Sequence, residues 1–310
     1  MTALICGSFA YDNIMVFQDH FKNHILPDKV HILNVSFLVP DMRREFGGCA
    51  GNIAYNLKLL GGDGLPMGTV GTDFEAYSEW MEGHGIERKY VTVIDDTFTA
   101  QAFITTDLDD NQITAFHPGA MNFSHKNKVT DAKGVTIGII SPDGRDGMIE
   151  HAQQFADANI PFIFDPGQGL PMFDGDDLKK FINQATYVTV NDYEWQLMQE
   201  RTKLSPHEVS ERVEALIITR GPEPVLIYTR DKRHEVEVSK PKQIADPTGC
   251  GDAFRAGLLY GLMNDFDWET IGHIASLMGT IKIEHPGTQN HYFSKDEFAD
   301  RFKKNYGYSF

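Results

Sequence analysis

The chain is poor in cysteine: Cys6, Cys49 and Cys250 are the only three in 310 residues. Their wide spacing and odd number exclude a disulfide framework and a zinc knot, and fit reduced thiols. Long apolar runs are missing too. Without a stretch of about 18 apolar residues, no transmembrane helix and no membrane partner is expected. Met1 to Ile5 reads as a short apolar strand with no basic segment before it. It is therefore not read as a signal peptide, and a cytoplasmic location is expected. Positive charge is scarce, with 28 Lys and Arg against 44 Asp and Glu, a formal net charge of −16. Nucleic-acid binding rests on phosphate neutralisation, so this balance argues against it. His20 and His24 share i,i+4 spacing, but no Glu completes a metal motif, and they read as surface histidines.

Several phosphate-binding signatures are also missing. There is no G-x-x-x-x-G-K-[ST], which excludes a P-loop enzyme. There is no His-Arg-Asp catalytic loop, which excludes a protein kinase. Only Gly7 follows the first predicted strand, where a dinucleotide fold carries its glycine fingerprint.

What stands out instead is Asp246-Pro247-Thr248-Gly249-Cys250-Gly251-Asp252-Ala253-Phe254-Arg255-Ala256-Gly257. Gly249 and Gly251 permit a tight turn. A helix is predicted from about Asp252, with Phe254, Leu258, Leu259 and Leu262 at helical spacing. A glycine turn feeding a helix start aims backbone N–H groups at one spot and suits a phosphate. Taken alone, the string also reads as a glycine turn with an Asp N-cap.

The remaining chain alternates short buried strands with helices. Residues 3–9 read as a strand, followed by Asp12 in a loop. At the carboxyl end of a first strand, Ser8 and Asp12 would face a ligand crevice. Residues 29–39 read as a strand of a separate small sheet. Residues 46–60 form a Gly-Gly turn into a helix that Gly61 and Gly62 end. Ile137–Ile140 and Phe162–Phe164 flank a helix carrying Met148, Ala152 and Phe155, a β-α-β pattern that implies a parallel sheet. Tyr187–Val190 and Leu216–Thr219 continue it, and Val225–Thr229 with His234–Ser239 read as an antiparallel edge hairpin. Asn191-x-x-Glu194 fits a helix capping box. Residues 268–284 are a mostly apolar helix.

Residues 99–116 read as a hairpin around the turn Leu108–Asn111. That turn pairs Asp107 with Gln112, and so places Phe103 opposite Phe116 on one face. Two such rings are a core pair or a clamp for a flat ligand.

The string at 246–252 resembles the C-terminal signature of the ribokinase-like (PfkB) kinase family, with Pro247 where Thr is usual and Cys250 where Ala is usual. Gly47, Gly48, Asn52 and Ala54 match that family's N-terminal Gly-Gly-x-x-x-Asn-x-Ala, and Gly68, Gly71 and Asp73 its Gly-x-x-Gly-x-Asp. The likeness runs from Leu4 to about Gln289. It implies an α/β fold: a three-layer domain with a mainly parallel central sheet plus a small β-sheet lid. Residues 1–310 would form a single kinase domain, with a discontinuous lid at about 13–46 and 97–120.

The resemblance also implies roles. Asp252 would be the catalytic base, and Gly249, Cys250 and Gly251 the anion hole. Asn191, Glu194, Thr219 and Gly221 would hold ATP, with Ser276 and Gly279 as further contacts and Glu194 reaching Mg2+ through water. A monovalent cation such as K+ is a further expected cofactor.

Within the family the chain looks most like the bacterial adenosine kinases, on Val-Ser-Phe-Leu-Val at 35–39, Phe-His-Pro-Gly-Ala-Met at 116–121 and Asn-Asp-Tyr-Glu-Trp at 191–195. That likeness implies phosphorylation of the 5′-hydroxyl of adenosine. Asp12 would hold the ribose hydroxyls beside Gly48 and Asn52, Phe103 and Phe116 would sandwich the purine, and Ser8, Ser36 and Gln168 would touch base or ribose. A sugar kinase acting on ribose, or a different purine nucleoside kinase, is the alternative. The apolar residues at 29–39 imply a homodimer through the lid.

Overall fold

The computed structural model describes residues 1–25, 34–109 and 111–310. The chain opens with β1 (Thr2–Cys6), β2 (Ala10–Val16), β3 (Asp41–Gly47) and α1 (Cys49–Leu59). Then come β4 (Asp63–Val70), α2 (Glu75–Gly83), β5 (Tyr90–Val93), β6 (Ala100–Thr106) and β7 (Gln112–His117). The next elements are β8 (Ile137–Ile140), α3 (Arg145–Asp157), β9 (Phe162–Phe164), α4 (Gly175–Gln184), β10 (Tyr187–Asn191), α5 (Asp192–Thr202) and α6 (Pro206–Ser210). The last are β11 (Ala215–Arg220), β12 (Glu223–Tyr228), β13 (Arg233–Val236), α7 (Cys250–Met263), α8 (Trp268–Ile283) and α9 (Lys295–Tyr306).

Nine strands build one sheet in the order β13-β12-β11-β10-β9-β8-β1-β4-β5. From β11 through β5 every neighbour is parallel, and β12 and β13 add an antiparallel edge. Successive side chains on a strand point to opposite faces, and both faces here are apolar. Ile5, Ile139 and Ile217 pack with Ile53 of α1, Tyr77 of α2 and Leu258 of α7. Leu4, Ile140, Phe164 and Leu216 pack with Phe155 of α3, Phe181 of α4 and Met198 of α5. The result is helix, sheet, helix in three layers.

Four strands form a second sheet in the order β3-β2-β6-β7. Asp12 belongs to this sheet, inside β2, and not to a loop. A strand at 29–39 is not what the described part of that segment shows. Residues 34–39 form no regular element, residues 29–33 lie outside the described residues, and the strand of this region is β3. Phe37 is held by rings instead, 4.8 Å from Phe17 and 5.0 Å from Phe21.

The hairpin register differs by one residue from the sequence expectation. Thr106 faces Gln112, Phe103 faces Ala115 and Ala102 faces Phe116. Part of the turn, Asp110, lies outside the described residues. The reason for the shift lies in Asp107. Its carboxylate accepts the amides of Phe21, Asp109 and Asn111, so Asp107 belongs to the turn and the ladder ends at Thr106. A one-residue slip moves a side chain to the other face. Phe103 and Phe116 therefore lie on opposite faces of the small sheet.

Candidate active site

In the large sheet β1 has β4 on one side and β8 on the other. The strand order reverses at β1, and ligands of open α/β sheets bind outside the carboxyl ends at such a point. Ser8 sits there. Its hydroxyl accepts the Cys49 amide at 3.3 Å and its carbonyl the Ala50 amide at 2.9 Å, so the start of α1 is pinned to the end of β1. Gly48 has φ +86, and a Cβ on it would stand 2.5 Å from the Ser8 carbonyl oxygen. Only glycine fits both the conformation and the approach.

A Cβ on Gly47 would stand 2.7 Å from Asp12 Oδ2. The second glycine thus leaves room for the Asp12 carboxylate beside the turn. Asp12 pairs across the ladders with Glu45 and Ala102. It is half-buried, and burial, with Glu45 and Asp246 adding repulsion, pushes its pKa up to about 6. Ala102 is opposite Phe116, so Phe116 shares the Asp12 face. Phe103 shares the face of Asn13 instead. A clamp of these two rings within one chain is not what the structure builds.

The turn at 246–251 has the expected shape. Gly249 adopts φ +78 as N-cap of α7, with no side chain capping it. A first helical turn leaves amides without intrahelical acceptors. The Cys250 amide is taken by the Pro247 carbonyl at 3.2 Å, which leaves Gly249, Gly251 and Asp252 as the amides free for an anion. The Cys250 thiol is pushed up to about 11 by burial and is no nucleophile.

Asp252 stands at this helix start. Asn52 of α1 donates to its Oδ2 at 2.8 Å. Burial raises the pKa of Asp252 to about 6, against the Asn52 hydrogen bond, which lowers it. Next to it Arg255 is buried and donates to Asp165 Oδ1 at 2.8 Å, with Ser141 donating to Asp165 Oδ2 at 3.0 Å. Glu194 lies 3.8 Å from Arg255. The capping box at Asn191 and Glu194 is formed: each side chain accepts the other residue's backbone amide at 2.7 Å. Glu194 Oε2 is thus occupied, and Oε1 remains for a metal-bound water. A half-buried carboxylate with one oxygen free suits a divalent cation in its donor chemistry.

Thr219 is the penultimate residue of β11, two residues before Gly221, which has φ +58 and open space around it. On α8 the buried Ser276 hydroxyl has no partner, and a Cβ at Gly279 would stand 3.4 Å from the Cys250 carbonyl oxygen, an ordinary contact. Gln168 is exposed in the segment after β9, and Ser36 is exposed among residues 34–39. Neither is drawn into the Asp252 network.

Sequence reasoning missed Arg255, Asp165, Lys282 and Gln289. Arg255 stood inside the 246–257 motif, and Asp165 directly follows β9 at its carboxyl end. Lys282 was a lone cation in an apolar helix, which was the available signal. It is fully buried and donates to the carbonyls of Asp246 at 2.7 Å and His285 at 3.1 Å. His20 is tied to Asp109 at 3.0 Å and His24 to Asp19 at 2.8 Å. His20, Asp107 and Asp109 lie close enough to share an ion, but Asp107 is occupied by turn amides and Asp109 by Lys22. No described helix is long and apolar enough to cross a membrane.

The chain has counterparts among known proteins. A nucleoside kinase of Methanocaldococcus jannaschii is 30% identical over 273 residues, covering 87% of this chain and 90% of that protein. The structure of Burkholderia thailandensis nucleoside kinase in complex with inosine is 53% identical, with a TM-score of 0.91 and 99% of each chain covered. The same enzyme in complex with ADP-inosine is 55% identical over the aligned part, with a TM-score of 0.88, covering 99% of this chain and 97% of that one. The pattern described as pfkB family carbohydrate kinase matches residues 12–295. With both signature turns in place on a ribokinase-like fold, the chain belongs to the pfkB family of carbohydrate kinases.

Proposed function

We propose that this protein is an ATP-dependent purine nucleoside kinase that phosphorylates the 5′-hydroxyl of inosine and adenosine. The observation that carries the reading is Asp252: a carboxylate with its pKa raised to about 6, oriented by Asn52, at the mouth of an open anion-binding turn. A base tuned near the working pH is the efficient one. Asp252 accepts the 5′-hydroxyl proton as that oxygen attacks the γ-phosphorus. The amides at Gly249, Gly251 and Asp252 stabilise charge on the transferred phosphoryl oxygens. Asp12 binds the ribose hydroxyls, with Gly48 and Ser8 shaping the turn beside it. Phe116 covers one face of the base. The ATP phosphates lie along Thr219, Gly221, Asn191 and Glu194, with Ser276 offering its unpartnered hydroxyl. Mg2+, when bound, neutralises charge on the phosphate oxygens, and Glu194 would hold it through water.

A monovalent cation does not fit beside the turn. The Asp246 carboxylate already accepts the amides of Thr248 and Gly287, and its carbonyl accepts the Lys282 ammonium. Turnover is therefore expected to be indifferent to replacing K+ by a large organic cation.

The exposed apolar residues of the lid support a second copy of the chain as partner. Phe103 and Ile113 are each 42% exposed and Met42 65% exposed, and by register all three share one face. Among the described residues strand β7 is a free edge, which proteins normally cover. Light scattering is expected to report twice the 34.9 kDa chain mass.

A sugar kinase is the second reading, and the single ring on the Asp12 face is what favours it. ATP turnover with inosine, adenosine, guanosine, cytidine and ribose, measured side by side, decides. Purine nucleosides are expected to lead. Ribose turned over as well as inosine would move the reading to sugars.

A further inference from the structure

Behind the base runs a chain of polar side chains that the chemistry above leaves unused. Trp80 of α2 donates its indole N–H to Gln289 Oε1 at 3.0 Å. Gln289, buried between α8 and α9, donates from Nε2 to Asn52 Oδ1 at 2.9 Å and to Tyr77 Oη at 2.6 Å. Tyr77 donates to the Gly47 carbonyl at 2.9 Å. Asn52 closes the chain on Asp252.

The direction of every bond in this chain is determined. An indole N–H only donates, and a backbone carbonyl only accepts. The first fact makes the Trp80-facing atom of Gln289 its oxygen. The second makes Tyr77 a donor to Gly47, and so an acceptor from Gln289. With its nitrogen fixed, Gln289 requires an oxygen from Asn52, which turns the Asn52 nitrogen toward Asp252. A rotated Asn52 would set its oxygen against the carboxylate and leave buried groups unpaired, which is costly.

We propose that Gln289 is a positioning residue for phosphoryl transfer: it locks the Asn52 amide so that an N–H, not an oxygen, faces the Asp252 carboxylate. The inference rests on the reading of Asp252 as the base. Through Tyr77 the same amide is linked to the Gly47 carbonyl, beside Asp12, so one side chain orders both Asn52 and the glycine turn. The other titratable groups facing Asp252 are Cys49 from α1, Cys250 and Arg255 from α7, Asp165 after β9 and Tyr77 from α2. Of these only Tyr77 touches Gln289, and its hydroxyl, whose pKa burial raises, stays a neutral phenol across the pH range of the test.

The test is the pH profile of kcat for the parent, Gln289→Met and Gln289→Glu, with whichever of inosine, adenosine or ribose the parent turns over fastest. Melting curves confirm folding. In Gln289→Glu both new oxygens accept, so Asn52 turns its nitrogen away from Asp252. The acid limb should move up by about one unit, a loss of about fivefold at pH 6 that recovers toward pH 9. Gln289→Met adds no charge, so its shift reports Asn52 alone, with about a twofold loss at pH 6 expected. KM for ATP should stay unchanged in both. Acid limbs that coincide with the parent's, with any loss uniform across pH, overturn the proposal. If Gln289→Glu does not fold, Gln289→Met decides by the same criterion. Activity that survives in Asp252→Asn would instead overturn the assignment of the base.

Discussion

The α7 start and the lid hairpin make opposite uses of the sequence. Asp252 sits where a motif of fixed spacing, a left-handed glycine and a helix N-terminus coincide, and it is held by Asn52 from a second element. The lid strand β7 is exposed along its whole length, and only the turn sets its register. In the first region, side-chain identity determines geometry over a few residues. In the second, one carboxylate choosing between turn and ladder decides which face every later residue occupies. Chemistry fixed by local spacing is robust to error, whereas recognition carried by a hairpin is sensitive to a single step of register.

The sharpest break in that comparison is at the base. Asp252→Asn keeps size and the helix start but removes the proton acceptor, and kcat is expected to fall by at least ~100-fold. In the parent, kcat should fall as the pH drops through about 6, because the carboxylate whose pKa burial has raised must be ionised to accept a proton. Near-normal turnover in the variant would remove Asp252 from the mechanism. On the lid side, Asp12→Ala deletes a charged hydrogen-bond partner, worth about 1.5–3 kcal/mol. KM for the nucleoside should rise by about ten- to a hundredfold, with KM for ATP unchanged, and a 2′-deoxynucleoside should be a poorer substrate for the parent. An equal rise for ATP would contradict the placement of Asp12 at the ribose.

The two phenylalanines test the register directly. Phe116 shares the Asp12 face, and a stacked base is worth roughly 1–3 kcal/mol. Phe116→Ala should therefore raise nucleoside KM by about 5- to 150-fold. Phe103→Ala should leave that KM alone and weaken self-association, because Phe103 lies with Ile113 on the opposite face. Equal losses of nucleoside affinity in both variants would restore a two-ring clamp.

Most of the large sheet was legible in the sequence because its strands are short apolar runs separated by amphipathic helices. Ile137–Ile140 and Phe162–Phe164 are β8 and β9 as expected, with Met148, Ala152 and Phe155 of α3 buried between them. The turn at Gly249 was legible for a different reason: its conformation permits few residues. The small sheet was not. Asp12 looked like a loop residue because a polar side chain early in a strand reads as a break, yet here it serves the crevice face. The segment at 34–39 is apolar without being a strand, since Phe37 packs into a ring cluster with Phe17 and Phe21. Gln289 carried no local signal. Its importance arises only when α1, α2 and the segment after α8 meet.

The smallest effect on turnover is expected at a group outside both regions, Asp143, which follows β8. It is buried, accepts the Gly144 amide at 2.9 Å with Oδ1, and has no partner for Oδ2. Burial pushes its pKa up from 3.8 to about 8, so it is neutral at pH 7 and carries a proton that the unfolded chain has already released. Between those two values the native state binds more protons than the unfolded state, and stability must fall as pH rises. Above about 8 both states are ionised and this slope ends. Asp143→Asn keeps the shape of the protonated acid and cannot ionise. The variant should match the parent near pH 4 and exceed it in melting temperature increasingly toward pH 8, with kcat unchanged at pH 7. Parallel melting curves for parent and variant across that range would show that Asp143 is solvated and ionised in the native protein.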